Sequence, residues 1–318
     1  MTARRSSHPL FTAYLALACV CFFWGTSYLG IRIGLESVSP ATLMCVRYTA
    51  SGVLLLLGAL VKGVAIPGPR AFAITAFYGI LIIGIGTGAV AYSELWVPSG
   101  LTALFVTTQP FWMVGIDSLL PGGERLHRPG LAGMLVGLVG VGILISPSVQ
   151  GSITMASATH GGIVLGFLIL QLGQACWCGG SIAQRRLGVH AHPIVLGAIH
   201  QLATGLSFGV VSMFDGHPAN WNVRGIAALA YLTVFGSALG YSAYSLAIMR
   251  LPVALVSLYT YINPIVAVAL GWLFYREPFG WRETIAMLII FAGVAIVKQT
   301  AQKKTGASPR AGAQAAVD

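Results

Sequence analysis

The feature that most constrains this chain is a succession of ten apolar runs, each near the length that a helix needs to cross a bilayer. About 20 mostly apolar residues span the hydrocarbon core as a helix. Strands of a transmembrane barrel are shorter and alternate in polarity, so long continuous runs exclude that architecture. The sequence therefore predicts an all-α fold, a polytopic membrane protein with ten transmembrane helices. The predicted spans are residues 10–31, 41–61, 71–95, 98–120, 130–146, 162–183, 193–214, 225–248, 252–275 and 281–297.

The charge content supports this prediction. Only 8% of the 318 residues are charged and 56% are hydrophobic, whereas a soluble domain carries about 25% charged residues. So few charges cannot cover a water-facing surface, and lipid must therefore be the solvent. The first run is longer than the apolar core of a signal peptide, which has about 7–15 residues. We interpret it as an uncleaved first span.

Catalytic and metal-binding patterns are missing from the sequence. HExxH, GxSxG and Walker motifs do not occur. All five cysteines lie inside apolar runs, which is unlike a disulfide framework. Cys176 and Cys178 would point about 200° apart on a helix, an unsuitable geometry for binding one metal together. The sequence predicts no cofactor, no metal and no enzymatic activity.

The basic residues indicate the orientation. With a cytoplasmic N-terminus, 13 Lys and Arg residues lie on the cytoplasmic side, four on the opposite side and Arg47 within the second span. The positive-inside rule then places both termini in the cytoplasm, for a multi-pass protein of the plasma (inner) membrane. The net charge of +10 is dispersed and forms no basic stripe, so no nucleic-acid partner is predicted. The polar tail, 299–318, is predicted to be disordered.

The chain repeats itself with a period of about 153 residues. Five spans per copy is an odd number, so the second copy, residues 162–298, must be inverted in the membrane relative to the first, 12–146. Inverted repeats are typical of secondary transporters, whose substrate site lies near the membrane centre between the repeats. The matched residues are Trp24 and Trp177, Pro98 and Pro252, Pro110 and Pro264, Glu124 and Glu277, and Gly140 and Gly293.

The order and spacing of several short motifs resemble the EamA-like family of the drug/metabolite transporter superfamily. The resemblance covers both halves, about 12–146 and 162–298. The motifs are Trp-Gly-Thr-Ser-Tyr at 24–28, Arg47 with Tyr48, Glu94 before Pro98, Gly-Glu-Arg at 123–125, Pro-Val-Ala at 252–254, Asn263 with Pro264, Gly271 with Trp272, Glu277 with Pro278, and Ala-Gly-Val-Ala at 292–295.

The resemblance implies a secondary transporter, an exporter of small metabolites, amino acids or amphipathic drugs. Some relatives in the superfamily import their cargo or flip lipid-linked sugars, so a translocator of a lipid-linked sugar is an alternative. An intramembrane enzyme is a more distant one. Many relatives carry an acidic residue where this chain has Asn263, so a role for such a carboxylate does not transfer. Direction, cargo and proton coupling stay open.

Two charged residues within the spans are candidates for function, since a charge at a helix centre costs about 2.5–3.5 kcal/mol to insert. Glu94 could bind a cationic substrate or exchange a proton. Alternatively, it faces water at the interface or caps the fourth span. Arg47 could bind a substrate carboxylate with its planar guanidinium. Alternatively, it snorkels outward or pairs with Glu94.

Aromatic and amide side chains complete the candidate site. The tryptophans at 24 and 177 either pack the repeat interface or line a cavity, where other aromatic rings could bind cations. Two amides each precede a proline inside a span, where the proline leaves a carbonyl unpaired. His200 is either a proton relay or a hydrogen-bonded structural residue. The predicted substrate-binding residues are Trp24, Tyr28, Arg47, Glu94, Gln109, Trp112, Gln174, Trp177, His200, Tyr241, Tyr259 and Asn263.

A glycine seam is predicted on the fifth span. Gly133, Gly137 and Gly140 share one helix face at spacings of four and three residues, which allows close packing. The partner of this seam could be another span or a second copy of the chain. A homodimer is therefore possible.

Overall fold

The computed structural model describes residues 9–122, 128–154, 158–187, 191–216, 219–251, 253–256, 258–277 and 279–305. Every regular element in these ranges is a helix. The helices are α1 Pro9–Gly34, α2 Pro40–Val61, α3 Pro69–Ser93, α4 Ser99–Val106, α5 Gln109–Leu119, α6 Arg128–Thr154, α7 Ala158–Leu187, α8 Pro193–Ser212, α9 residues 223–250, α10 Val253–Val256, α11 Tyr259–Tyr275 and α12 Trp281–Thr305.

Six of the described helices, α1, α2, α3, α7, α8 and α9, are long and apolar enough to cross a membrane. Two shorter apolar helices accompany them, Arg128–Leu144 within α6 and Tyr259–Tyr275. Their outer faces present large apolar side chains to the surroundings, the surface that lipid requires. The chain is therefore an all-helical, polytopic membrane protein.

Proline begins several of these helices. Pro40, Pro69 and Pro193 stand in the first turn of α2, α3 and α8, where a missing N–H costs no hydrogen bond. The Ser39 hydroxyl accepts from the Thr42 backbone N–H at 3.2 Å and caps α2. The prolines in the sequence thus indicate the starts of these three helices correctly.

Two of the predicted spans, 98–120 and 252–275, are each divided into two helices. Residues 98–120 form two helices, since α4 ends at Val106 and α5 begins at Gln109. Pro110 has no N–H for the carbonyl four residues earlier. The Thr107 and Thr108 hydroxyls donate to the Leu104 and Phe105 carbonyls at 2.6 and 2.8 Å. The span 252–275 is likewise divided, between α10 and α11.

Two helices extend beyond the predicted spans. Pro147 does not end α6, which continues to Thr154. The last helix, α12, continues to Thr305 and so includes the first residues of the predicted tail. Residues 306–318 lie outside the described part of the chain.

Helices α2 and α8 cross at two glycines. A Cβ atom added at Gly52 would lie 2.8 Å from the Leu202 backbone nitrogen, and one added at Gly205 would lie 2.9 Å from the Thr49 Cα atom. Gly52 and Gly205 are 153 positions apart, and so are Thr49 and Leu202. The same contact is therefore made twice, with the two halves of the chain exchanged.

Helices α6 and α12 make a second pair of matched glycine contacts. A Cβ atom at Gly140 would lie 3.0 Å from the Ile290 nitrogen, and one at Gly293 would lie 2.5 Å from the Gly137 nitrogen. These two contacts are again related by a shift of 153 positions. The glycine seam of α6, which includes Gly133, is therefore covered by a helix of the same chain. A homodimer would need a different surface.

Each half also contains one π-helical segment inside a long helix. These are Ile80–Ile85 in α3 and Leu232–Leu239 in α9. Their positions are separated by about the length of the repeat. Such segments are uncommon and are frequently found at functional sites.

We expect Gly52→Ala to lower the thermal stability of the detergent-solubilised protein, because the new methyl group meets backbone atoms of α8. Gly58 in the same helix has no neighbour within 4 Å of an added Cβ. Gly58→Ala is the matched control and should be neutral or stabilising by up to about 1 kcal/mol. Thermal unfolding followed by size-exclusion chromatography measures both. Equal stability of the two variants would contradict the close crossing.

Candidate substrate-binding cavity

A central cavity lies between the helices of the two halves. It encloses about 990 Å³ of empty space, including space open to solvent. Residues of α1, α2, α3, α4 and α5 line one part of it, and residues of α7, α8, α9 and α11 line the rest. The wall combines apolar and aromatic side chains with hydroxyl and amide groups and one arginine, a mixture suited to a small molecule.

Nine of the twelve predicted substrate-binding residues line this one cavity, although they come from six helices. The other three, Glu94, Trp112 and His200, are not among the described lining residues. The nine are Trp24, Tyr28, Arg47, Gln109, Gln174, Trp177, Tyr241, Tyr259 and Asn263.

The two repeat-matched tryptophans occupy equivalent places in the cavity wall. A Cβ atom at Gly240 would lie 2.7 Å from the Trp24 indole nitrogen, and one at Gly86 would lie 2.8 Å from Trp177 Cε3. Each indole thus packs on a glycine of the opposite half, just beyond the π-helical segment of that helix. Only glycine leaves room for a ring this close to the backbone.

Trp24 belongs to an aromatic group at one side of the cavity. Its ring centroid lies 5.1 Å from that of Tyr259 in an edge-to-face arrangement and 5.3 Å from that of Tyr244. Rings in such contacts hold one another in place. The cavity therefore presents a rigid aromatic surface to any molecule inside it.

The two residues that precede prolines inside predicted spans both lie at helix contacts, Asn263 through its side chain and Gln109 through its backbone carbonyl. With its NH₂ group turned toward the nearby carbonyls, the Asn263 side chain donates to Cys21 O at 3.0 Å and to Tyr259 O at 3.1 Å. In the other half, the Cys178 thiol donates to the Gln109 backbone carbonyl at 3.4 Å. Asn263 thus ties α11 to α1 while it also lines the cavity.

Arg47 is buried, with 4% of its surface exposed. Its Nε atom donates to Ser237 Oγ at 2.8 Å, and its guanidinium carbon lies 4.9 Å from the centre of the Tyr48 ring. Its Nη1 atom is buried and has no hydrogen-bond partner. Arg47 therefore does not snorkel outward, and the ion pairs between described residues do not include one with Glu94.

Glu94 is completely buried, and neither carboxylate oxygen has a hydrogen-bond partner. Its backbone carbonyl accepts from the Arg32 guanidinium. Burial excludes the alternative in which Glu94 faces water, and its position outside the described cavity lining separates it from direct substrate contact in this conformation.

The acid that caps α4 is Glu277, from the other half of the chain. Its carboxylate accepts from the Ser99 N–H and hydroxyl, both at 2.8 Å, and from the Gly100 N–H at 2.9 Å. A carboxylate at a helix N-terminus satisfies unpaired N–H groups and suits the dipole. The sequence gives this capping role to Glu94 as an alternative. The match with Glu124 points to Glu277 as a residue of interest but does not indicate that it contacts Ser99 and Gly100.

Trp112 and His200 make hydrogen bonds between helices. The Trp112 indole N–H donates to Gln171 Oε1 at 2.9 Å. His200 Nε2 lies 2.9 Å from Gln184 Nε2, and the His200 backbone packs against Gly79. These contacts join α5 to α7 and α7 to α8, which fits a structural role for both side chains.

Together these features define a polytopic helical membrane protein with a ligand-sized internal cavity, the class to which membrane carriers belong. The EamA-like transporter family matches the chain over residues 11–146 and again over 164–298. The chain belongs to this family, as its motifs predicted. It is a membrane transporter of small molecules and not an enzyme.

Curated relatives carry corresponding names. The uncharacterized inner membrane transporter YedA of Escherichia coli (strain K12) is 32% identical, over 91% of this chain and 90% of its own length. A probable amino-acid metabolite efflux pump of the same strain is 23% identical, over 87% and 91%. A probable terminal-alkyne amino-acid exporter of Streptantibioticus cattleyicolor is 24% identical, over 83% and 86%.

The fold has a counterpart among solved structures. One crystal structure aligns with a TM-score of 0.61 at 20% identity, over 92% of this chain and 98% of that chain. At this identity the likeness concerns the fold alone.

We expect Glu277→Ala to lower the thermal stability of the solubilised protein, because Ser99 and Gly100 lose their acceptor. Removing a helix cap costs about 1 kcal/mol. Glu277→Gln keeps one acceptor oxygen and should lie between the wild type and Glu277→Ala. Thermal unfolding in detergent distinguishes them. A Glu277→Ala protein as stable as the wild type would show that the cap contributes nothing.

Proposed function

We propose that this protein is a secondary transporter of the plasma (inner) membrane that exports small metabolites, amino acids or amphipathic drugs. The observation that carries the proposal is the central cavity, whose walls come from both halves of the chain and repeat at Trp24 and Trp177. The names of the exporters among its relatives point the same way.

The proposal includes ten transmembrane helices in two inverted five-helix repeats, 12–146 and 162–298. Beside the six long apolar helices, α6, α12, the pair α4 and α5, and the pair α10 and α11 supply four further spans. The reciprocal glycine contacts of α2 with α8 and of α6 with α12 support the repeat. The family matches the chain twice, once in each half.

The repeat gives the proposed transporter its mechanism. Two near-equivalent halves with opposite orientation can exchange conformations, and the exchange changes which side of the membrane the cavity faces. The glycine crossings let the helices pack closely without large interlocking side chains between them. The distribution of basic residues supports a cytoplasmic location for both termini.

A translocator of a lipid-linked sugar is less well supported. A pyrophosphate group calls for several basic donors, whereas Arg47 is the single Lys or Arg among the described lining residues. The cavity composition therefore favours a small molecule.

Transport of a mixed metabolite panel into proteoliposomes tests the proposal. We expect saturable uptake by the wild type and at least a tenfold loss in Trp24→Ala and in Trp177→Ala, because each removes one aromatic wall. Trp272 is exposed on α11 and does not line the cavity. Trp272→Ala is the matched control and should transport normally. Absence of saturable uptake for every compound would contradict the proposed function.

Proton coupling through Glu94 is a further part of the proposal. An ionisable group buried at membrane depth is a default candidate for proton transfer, and this carboxyl group has no hydrogen-bond partner. We expect an imposed pH gradient to drive transport by the wild type but not by Glu94→Gln, while counterflow exchange without a gradient is retained. An unchanged gradient response in Glu94→Gln would exclude Glu94 from the coupling.

A further inference from the structure

We propose that Arg47 is the receptor for a carboxylate on the cargo, and that the transported compounds are organic monocarboxylates with an aromatic or apolar body rather than organic cations. This inference rests on the proposed transport function and names the chemistry of its substrates.

The charge of the cavity wall is unbalanced. Among the described residues that line it, Arg47 is the single charged side chain, and the others are apolar, aromatic, hydroxyl or amide. Glu94 lies outside this lining, and the ion pairs between described residues do not join it to Arg47. The described wall thus offers one positive charge and no carboxylate that neutralises it.

The guanidinium is held in a fixed position with donors to spare. Ser237 accepts from Nε, the guanidinium carbon lies over the Tyr48 ring, and Gly236 leaves space beside Nη2. Nη1 is buried without a partner, a state that costs free energy unless an acceptor arrives. A carboxylate fits because its two oxygens accept a parallel pair of N–H groups from arginine.

The repeat shows that the fold does not require an arginine here. The counterpart of Arg47, at a shift of 153 positions, is His200. His200 bonds to Gln184 and is not among the described lining residues of the cavity. One half therefore uses this position for a contact between helices, while the other presents a cation to the cavity. The asymmetry favours recognition over packing as the role of Arg47.

The rest of the wall indicates what accompanies the carboxylate. The indoles of Trp24 and Trp177 and the ring of Tyr259 offer apolar surface, and Gln174, Gln201 and Thr107 offer neutral hydrogen-bonding groups. An amino group could contact the aromatic faces but would meet no acid among the described lining residues. A second carboxylate would meet no second cation there. Monocarboxylates should thus bind better than amines or dicarboxylates.

The test compares three probes of the same shape, 3-phenylpropanoate, its amide and 3-phenylpropylamine, by calorimetric binding to the purified full chain. We expect the carboxylate to bind at least tenfold more tightly than the amide or the amine. Arg47→Gln should abolish this preference and leave amide binding unchanged. Arg47→Lys should restore it in part, and Ser237→Ala should weaken carboxylate binding alone. Arg250→Gln, an exposed arginine outside the described cavity lining, is the matched control.

Several outcomes would overturn the inference. These are tighter binding of the amine, an unchanged preference in Arg47→Gln, or no carboxylate binding to the folded wild type. If Arg47→Gln does not fold, Arg47→Lys and Ser237→Ala decide the same question. Uptake of amines without carboxylates would refute the inference and leave the transporter function standing. Carboxylate binding that depends on Arg47, without uptake of any compound, would refute the transport function but would still support a carboxylate-binding site at Arg47.

Discussion

The hydrogen bonds of the backbone constrain this structure more than any other interaction. In lipid, an unpaired N–H or C=O group has no water to bind, so each departure from a regular helix needs an internal partner. At the break between α4 and α5, the hydroxyls of Thr107 and Thr108 donate to the Leu104 and Phe105 carbonyls. The first N–H groups of α4 are bound by a carboxylate from the other half, and the Asn263 amide binds carbonyls of α1 and α11. Asn263, which lines the cavity, therefore also holds two helices together.

Symmetry and asymmetry have separate roles in the molecule. The glycine crossings and the two tryptophan–glycine contacts recur in both halves and form a scaffold common to them. The position occupied by Arg47 in one half and His200 in the other differs. In the proposed site, a substrate would meet an indole from each half but, among the described lining residues, a charge from only one half. A scaffold that repeats can thus still orient its cargo.

The sequence predicts the helices well, because an apolar run of about 20 residues has few alternatives in lipid. It predicts the repeat from a small number of matched prolines, tryptophans and glycines. Helix ends are less predictable: Pro110 lies beside a break, whereas Pro147 lies within α6 and Pro264 within α11. Side-chain direction depends on neighbouring helices. The sequence alone therefore does not tell that Trp24 lines the cavity and Trp112 does not, or that Glu277 rather than Glu94 caps α4.

The two π-helical segments directly precede the glycines on which the cavity indoles pack. A π turn holds about one residue more than an α turn, and one residue corresponds to roughly 100° of rotation and 1.5 Å of length. Tightening either segment into regular α-helix would therefore turn the part of the helix beyond it as a unit. In α3 that part begins with Gly86, which receives Trp177, and in α9 it begins with Gly240, which receives Trp24. The indoles thus rest on surfaces that a local change of helix type would rotate away.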